Sequence, residues 1–230
     1  MGERFYKLSH ATLGPLIRGA WSIEASGREH IPGEGAAILA SNHLSFLDHF
    51  VKPAVIDRPV SFISKVEHFE APLKAWLFEQ WGVIPIERGK GDDEALDRAV
   101  QVLEDGKLFC IYPEGTRSLD GRLHKGHTGV ARLALGVGVP VVPVGVEGTY
   151  EAMPKGQKLP RFPDVEVAFG EPLTFEDRHG QQDDYDTCRE VTDEIMEAIQ
   201  ALSGQEYVHE YQRNPDYVPA EHRDDEEATA

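Results

Sequence analysis

Short apolar runs recur along the chain at 36–40 (AAILA), 60–64 (VSFIS), 83–86 (VIPI), 108–112 (LFCIY), 141–146 (VVPVGV) and 165–169 (VEVAF). Each has the length and composition of a β-strand. Helical patterns fall between several of them. The clearest run over 92–105, with acidic residues in the first turn and Gly106 after the end, and over 184–203, closed by Gly204. Shorter helices are predicted near 45–56, 71–80 and 127–136. Strands alternating with helices predict an α/β fold: one domain, a largely parallel mixed sheet flanked by helices, and loops at strand ends free to carry chemistry.

At 230 residues, 40% hydrophobic and 27% charged, the chain is large enough to bury one real core. Cys110 and Cys188 lie far apart, so neither a disulfide framework nor a cysteine metal cluster is predicted, and a reducing compartment is the simplest setting. No stretch reaches the roughly 18 apolar residues of a membrane span. Residues 1–21 form a candidate membrane-interfacial segment, in which Phe5, Leu8, Leu13, Leu16, Ile17 and Trp21 mix with Arg4, Lys7 and Arg18. Packing of this segment on the core is the alternative, and Gly14-Pro15 is expected to break or kink a single helix there. The main domain is expected over 22–213, followed by an acidic, disordered tail over 214–230.

The net charge of -17 is unevenly spread: residues 1–135 hold 16 Lys and Arg against 18 Asp and Glu, and 136–230 hold 7 against 22. An anionic ligand can therefore be held in the first part, where Arg117, Arg122, Lys125 and Arg132 cluster. The long-range basic field that nucleic acid requires is absent.

Three kinds of residue point to chemistry. His43 and Asp48, in "NHLSFLDHF", follow an apolar strand directly. Five helical residues leave two side chains about 140° apart, so contact requires His43 at or before a helix start and Asp48 reaching back from its first turns. Ser41 or Asn42 is the expected cap. Asp48 would then fix the imidazole tautomer while the other ring nitrogen takes a proton from a hydroxyl. The same spacing recurs at His179 and Asp184 within the hydrophilic "DRHGQQDDYD", so spacing alone assigns nothing.

"YPEGTRS", 112–118, follows another strand; Gly115 allows close backbone approach and Arg117 offers a fork for phosphate, against a plain turn with a Glu114–Arg117 ion pair. Lys65 and Arg88 stand after two further strands. Converging strand ends would surround a base with cations. Metal sites from His43, Asp48 and His49, or from His124 and His127, lack a tight ligand pattern. Neither a nucleotide-type glycine loop nor a Gly-x-Ser-x-Gly elbow is present.

In order and spacing these blocks resemble the glycerolipid acyltransferase family that includes the 1-acylglycerol-3-phosphate acyltransferases. "NHLSFLDHF" is similar to its His-x4-Asp motif, "GVIPIERG" to its second block, "YPEGTRS" to its Glu-Gly-Thr-Arg-Ser block and "VPVVPVGVEG" to its fourth. The resemblance spans roughly residues 30–150. Two departures are the Glu87 before Arg88, where Asp is familiar, and the absence of a membrane-spanning segment ahead of the domain.

The resemblance implies transfer of a fatty acyl group from acyl-CoA or acyl-ACP to the hydroxyl of 1-acyl-sn-glycerol-3-phosphate, giving phosphatidic acid. His43 would be the base and Asp48 its orienting partner. Glu114, Gly115 and Arg117 would lie in the acceptor site, with Lys65 and Arg88 as further phosphate contacts. No metal and no cofactor beyond the thioester co-substrate is implied. The expected partners are the thioester, lysophosphatidic acid and a membrane surface, approached peripherally or monotopically from the cytoplasmic face. Glycerol 3-phosphate or another lipid or sugar hydroxyl is an alternative acceptor. A non-catalytic lipid-binding module and a thioester hydrolase are alternatives of other classes.

Overall fold

The computed structural model describes residues 3–65, 83–86 and 91–212. Its helices are α1 (Glu3–Ala20), α2 (Asp48–Val55), α3 (Gly91–Glu104), α4 (Gly129–Val137), α5 (Thr149–Ala152) and α6 (Tyr185–Ser203). Its strands are β1 (Glu24–Ser26), β2 (Ala37–Ser41), β3 (Val60–Lys65), β4 (Val83–Ile86), β5 (Leu108–Ile111), β6 (Leu123–His124), β7 (Val141–Glu147), β8 (Glu166–Phe169) and β9 (Tyr207–Val208).

Seven strands form one sheet in the order β1-β8-β7-β2-β5-β3-β4. From β7 to β4 every neighbour is parallel. β8 runs antiparallel to β7, with β1 parallel to β8, so the sheet is mixed but mostly parallel. All six predicted strands are present. Their uninterrupted apolar character has a plain cause: the central strands are covered on both faces. Ile38, Phe109 and Val141 pack on one side with Leu133, Val191 and Ile195 of α4 and α6. Leu39, Cys110 and Val142 pack on the other with Val51 and Val55 of α2. Fully burying such an aliphatic side chain contributes roughly 1.5–3 kcal/mol. Gly145, within β7, is needed for close approach of α6, because a Cβ there would meet the Leu202 carbonyl carbon at 2.6 Å.

The ends of α6 follow the sequence signals. Asp184 accepts the Thr187 N–H at 2.9 Å as the N-cap, which gives the second His-x4-Asp pair a structural duty. Gly204 closes the helix at φ 62°. Two expectations need correction. α1 runs unbroken through Pro15, since the backbone bond that Pro15 cannot donate would reach Ala11, and both residues are exposed to water. Ser41 and Asn42 do not cap α2. Asn42 instead clamps β7, donating to Val146 O at 2.8 Å and accepting the Val146 N–H at 2.9 Å.

α1 is tied to α2: the buried Tyr6 hydroxyl donates to Ile56 O at 3.0 Å, and Arg18 donates to Ala54 O. Its other side leaves Leu8, Leu13 and Leu16 between 40% and 69% exposed. The predicted helix at 71–80 and the predicted tail at 214–230 lie outside the described residues. Parallel pairing brings the C-terminal ends of β7, β2, β5, β3 and β4 to one rim of the sheet, and there the sequence motifs begin.

Candidate active site

β2 ends at Ser41 and the chain turns through residues 42–47 before α2 starts at Asp48. The turn is closed by the Asp48 carboxylate itself. Its Oδ2 accepts the backbone N–H groups of Leu44 and Ser45 at 2.8 and 3.0 Å, and the His43 Nδ1–H at 2.8 Å. The predicted geometry is therefore present: the histidine precedes the helix and the aspartate reaches back from its first residue. Asp48 is fully buried and His43 is 9% exposed. With Nδ1 engaged, Nε2 is the nitrogen left for a ligand.

The 112–118 loop at the end of β5 holds the His43 backbone on both sides. Glu114 Oε2 accepts the His43 N–H at 3.0 Å, and the Ser118 N–H donates to His43 O at 2.7 Å. Glu114 Oε1 accepts the His124 N–H at 2.9 Å. Glu114 is 1% exposed and both its oxygens are occupied by backbone, so it anchors loops instead of facing a ligand or pairing with Arg117. Burial pushes its carboxyl up to about 8, against the pull of the two N–H donors. Gly115, at φ 70°, stands on the exposed side of the same turn. A Cβ there would meet His127 Cδ2 at 3.2 Å. Arg117 is half-buried, and its charge acts on His43.

Burial holds the His43 imidazole below its usual range, aided by the charges of Lys52 and Arg117 and opposed by Asp48. Burial alone would raise Asp48, but the His43 hydrogen bond, the charges of His43 and Lys52 and the Ser45 N–H outweigh it and hold the carboxyl at about 2. The His43 ring stacks on Tyr112 at 3.8 Å between centroids and 16° between planes, with His49 edge-on at 5.4 Å. Burial lowers His49 to about 3. Tyr112 and the fully buried Lys52 are site residues that the motifs do not single out, and His49, considered in the sequence only as a metal ligand, packs edge-on against the His43 ring. Tyr112 heads "YPEGTRS" and His49 follows Asp48 directly, so a signal existed for both.

The other expected cations divide. Lys65 closes β3, but its side chain, like all of Arg88, lies outside the described residues. Arg122 is bound to Asp120, with Nη2–Oδ2 at 2.6 Å, and Lys125 lies over the Tyr211 ring at 5.3 Å. Among the described residues no three His, Cys, Asp or Glu side chains are grouped as a metal site. An apolar groove opens beside His49, lined by Leu13 and Ile17 of α1, Phe46 and Phe50 at α2, Phe62 of β3 and Val83 of β4. His49, which lines it, is in ring contact with His43.

A buried imidazole oriented by a carboxylate can take a proton at Nε2 from a hydroxyl placed over it, and the groove beside it can hold a hydrocarbon. Residues 22–147 match the family model described as acyltransferase. The chain belongs to the acyltransferase family. The chain is 32% identical over 183 residues to the chloroplastic 1-acyl-sn-glycerol-3-phosphate acyltransferase LPAT1 of Arabidopsis thaliana, covering 78% of its own length and 49% of the relative. It is 34% identical over 118 residues to a lyso-ornithine lipid O-acyltransferase of Pseudomonas aeruginosa, covering 51% and 45%. The chain spans about half the length of the curated relatives it matches. The crystal structure of PlsC, the 1-acyl-sn-glycerophosphate (LPA) acyltransferase of Thermotoga maritima, aligns with a TM-score of 0.69 at 24% identity, over 87% of this chain and 81% of that chain. That likeness is one of fold.

Proposed function

We propose that the protein transfers a fatty acyl group from a coenzyme A or acyl carrier protein thioester to the free hydroxyl of 1-acyl-sn-glycerol-3-phosphate, forming phosphatidic acid for phospholipid synthesis. The observation that carries this reading is the buried His43–Asp48 hydrogen bond at 2.8 Å, set beside an apolar groove. His43 Nε2 takes the hydroxyl proton as the oxygen attacks the thioester carbonyl. A C–O bond forms, the C–S bond breaks, and the imidazolium returns the proton to the departing thiolate. Asp48 keeps Nδ1 protonated throughout. No cofactor beyond the thioester takes part. Arg117 binds the acceptor phosphate beside Gly115, joined by Lys65, which closes β3, and Arg88, which follows β4 in the sequence. The groove receives an acyl chain.

The substrates are lipids, and we place the protein peripherally at a membrane surface on the cytoplasmic side. Among the described residues no helix is long and apolar enough to cross a membrane. Leu8, Leu13 and Leu16 face outward from α1, and Leu13 also lines the groove, so the groove opens where the helix would meet lipid. Trp21 extends this surface through Phe162, 64% exposed, to a segment carrying Lys155, Lys158 and Arg161. Exposed leucines beside cations suit an anionic lipid interface. Removing α1 would strip Tyr6 and Arg18 from α2, so point substitutions separate docking from folding. Leu8→Ser with Leu16→Ser is expected to cut sedimentation with anionic phospholipid vesicles several-fold at unchanged melting temperature. Equal sedimentation would remove this surface from the reading.

The relative named for lyso-ornithine lipid favours a second acceptor class, because the same base would serve any hydroxyl of suitable reach. Acyl transfer from one common thioester to 1-acylglycerol-3-phosphate, glycerol 3-phosphate and a lyso-ornithine lipid, measured side by side, decides among them. Phosphatidic acid as the main product supports the proposal. Thioester cleavage without acceptor would make the protein a hydrolase, and no reaction with any acceptor would favour a lipid-binding module.

A further inference from the structure

Lys52 is among the largest fully buried side chains of the described residues, and it is a cation. It lies four residues after Asp48 on α2, which puts the two on one helix face. Its ammonium donates to Ser41 Oγ at 2.9 Å and sits 4.2 Å from the centroid of the Tyr112 ring, the ring on which His43 stacks. Among the described residues it forms no direct ion pair. A buried ammonium is costly unless an anion compensates it. The buried carboxylate on its helix face is Asp48. That carboxylate accepts all three of its hydrogen bonds at Oδ2, and its Oδ1 is buried without a partner.

We propose that Lys52 is a positioning residue whose buried charge shares the field of the Asp48 carboxylate with His43 and thereby keeps His43 unprotonated, and so able to act as a base. This rests on the reading of His43 as that base. In an isolated Asp–His pair the carboxylate strengthens the hold of the imidazole on a proton, and an imidazole already protonated cannot accept another. A cation within the same buried cluster offsets that attraction. Asp48, Lys52 and neutral His43 together carry no net charge, which suits an enclosed site. The charge of Lys52 acts downward on both His43 and Asp48, in keeping with this arrangement. Among the described residues the other ionisable groups facing the cluster are His49 from α2, Cys110 and Tyr112 at the end of β5, and Glu114 and Arg117 in the loop that follows. Cys110 and Tyr112 are held neutral by burial, and His49 is neutral as well. Arg117 acts on His43 in the same direction as Lys52.

The test uses Lys52→Met, which matches the chain without its charge, and Lys52→Gln, which also keeps a hydrogen bond to Ser41 Oγ. In both, the acid limb of kcat/KM against pH is expected to move to higher pH. The loss should be about tenfold greater on that limb than on the plateau, the factor that one pH unit of displacement produces. It should appear in kcat, with KM for the thioester within about twofold, because Lys52 is sealed from substrate. NMR titration of the His43 imidazole in the full chain should move the same way, and it is read without turnover, so it decides the matter even if the assigned acceptor is wrong. A purely structural Lys52 predicts no displacement in Lys52→Gln by either measurement, and that result overturns the proposal.

Discussion

At the scale of single residues, the His43 loop is defined by backbone groups as much as by the imidazole. Asp48 Oδ2 closes the loop from inside, and Glu114 and Ser118 hold the His43 N–H and C=O from outside. His43→Ala leaves all four of those backbone bonds in place. It is therefore expected to keep the melting temperature within a few degrees while lowering turnover by ~10²-fold or more, the usual scale of lost acid–base catalysis. Activity near the wild-type level would remove His43 from the reaction. The neutral histidines also set the acid response. His49 is lowered from 6.5 to about 3, and His43 is lowered too, so between those values the unfolded chain binds more protons than the folded one. Their folded-state contribution is whole above about pH 6.5 and shrinks as pH falls. His49→Phe should make the urea midpoint less steep between pH 6.5 and 4. An unchanged slope would show that His49 is protonated in the fold.

At the scale of elements, the sequence was most legible where one strand is apolar throughout and both of its faces are packed, as in β2 and β7. It was least legible where tertiary context makes the element. The three-residue β1 and the two-residue β6 and β9 are too short to carry a pattern, and they exist because partners stand beside them. Pro15 stands inside an unbroken helix because that side of α1 is wet, which only the packing of the helix decides. Ser41 and Asn42 looked like caps because their type suits capping, yet the Lys52 ammonium and the β7 backbone claim them. Gly145 was readable as a glycine in a strand, but its reason lies on α6. Gly145→Ala must displace either β7 or the end of α6, since its Cβ would come within 2.8 Å of Leu202 backbone atoms. Overpacking of this kind costs about 1–3 kcal/mol. For the whole chain, that is a drop of a few degrees in melting temperature. A variant as stable as wild type would show that the α6 end is free to shift.

At the scale of the whole molecule, the rim formed by the parallel strand ends brings His43 together with the loop carrying Gly115 and Arg117. This part of the site was readable because each motif follows its own strand. The clamp that fixes the two loops was not readable, since it comes from the segment after α6, about 160 residues from His43. Gln205 accepts from Asn42 Nδ2 at 2.7 Å and donates to Gly121 O at 2.7 Å, bridging the loop after β2 to the loop after β5. β9 then pairs with β6, fixing His124, whose N–H is held by Glu114. Ending the chain after Gly204 removes Gln205 and β9 but leaves every strand of the main sheet. The truncated protein should retain its far-UV spectrum, while kcat falls at least about tenfold as the two loops lose registry, since small misplacements of reacting groups are costly. Gln205→Ala, which cuts the bridge and keeps β9, should fall between the two. Full turnover in the truncated chain would mean that the Glu114 and Ser118 bonds to His43 suffice to hold the base in place.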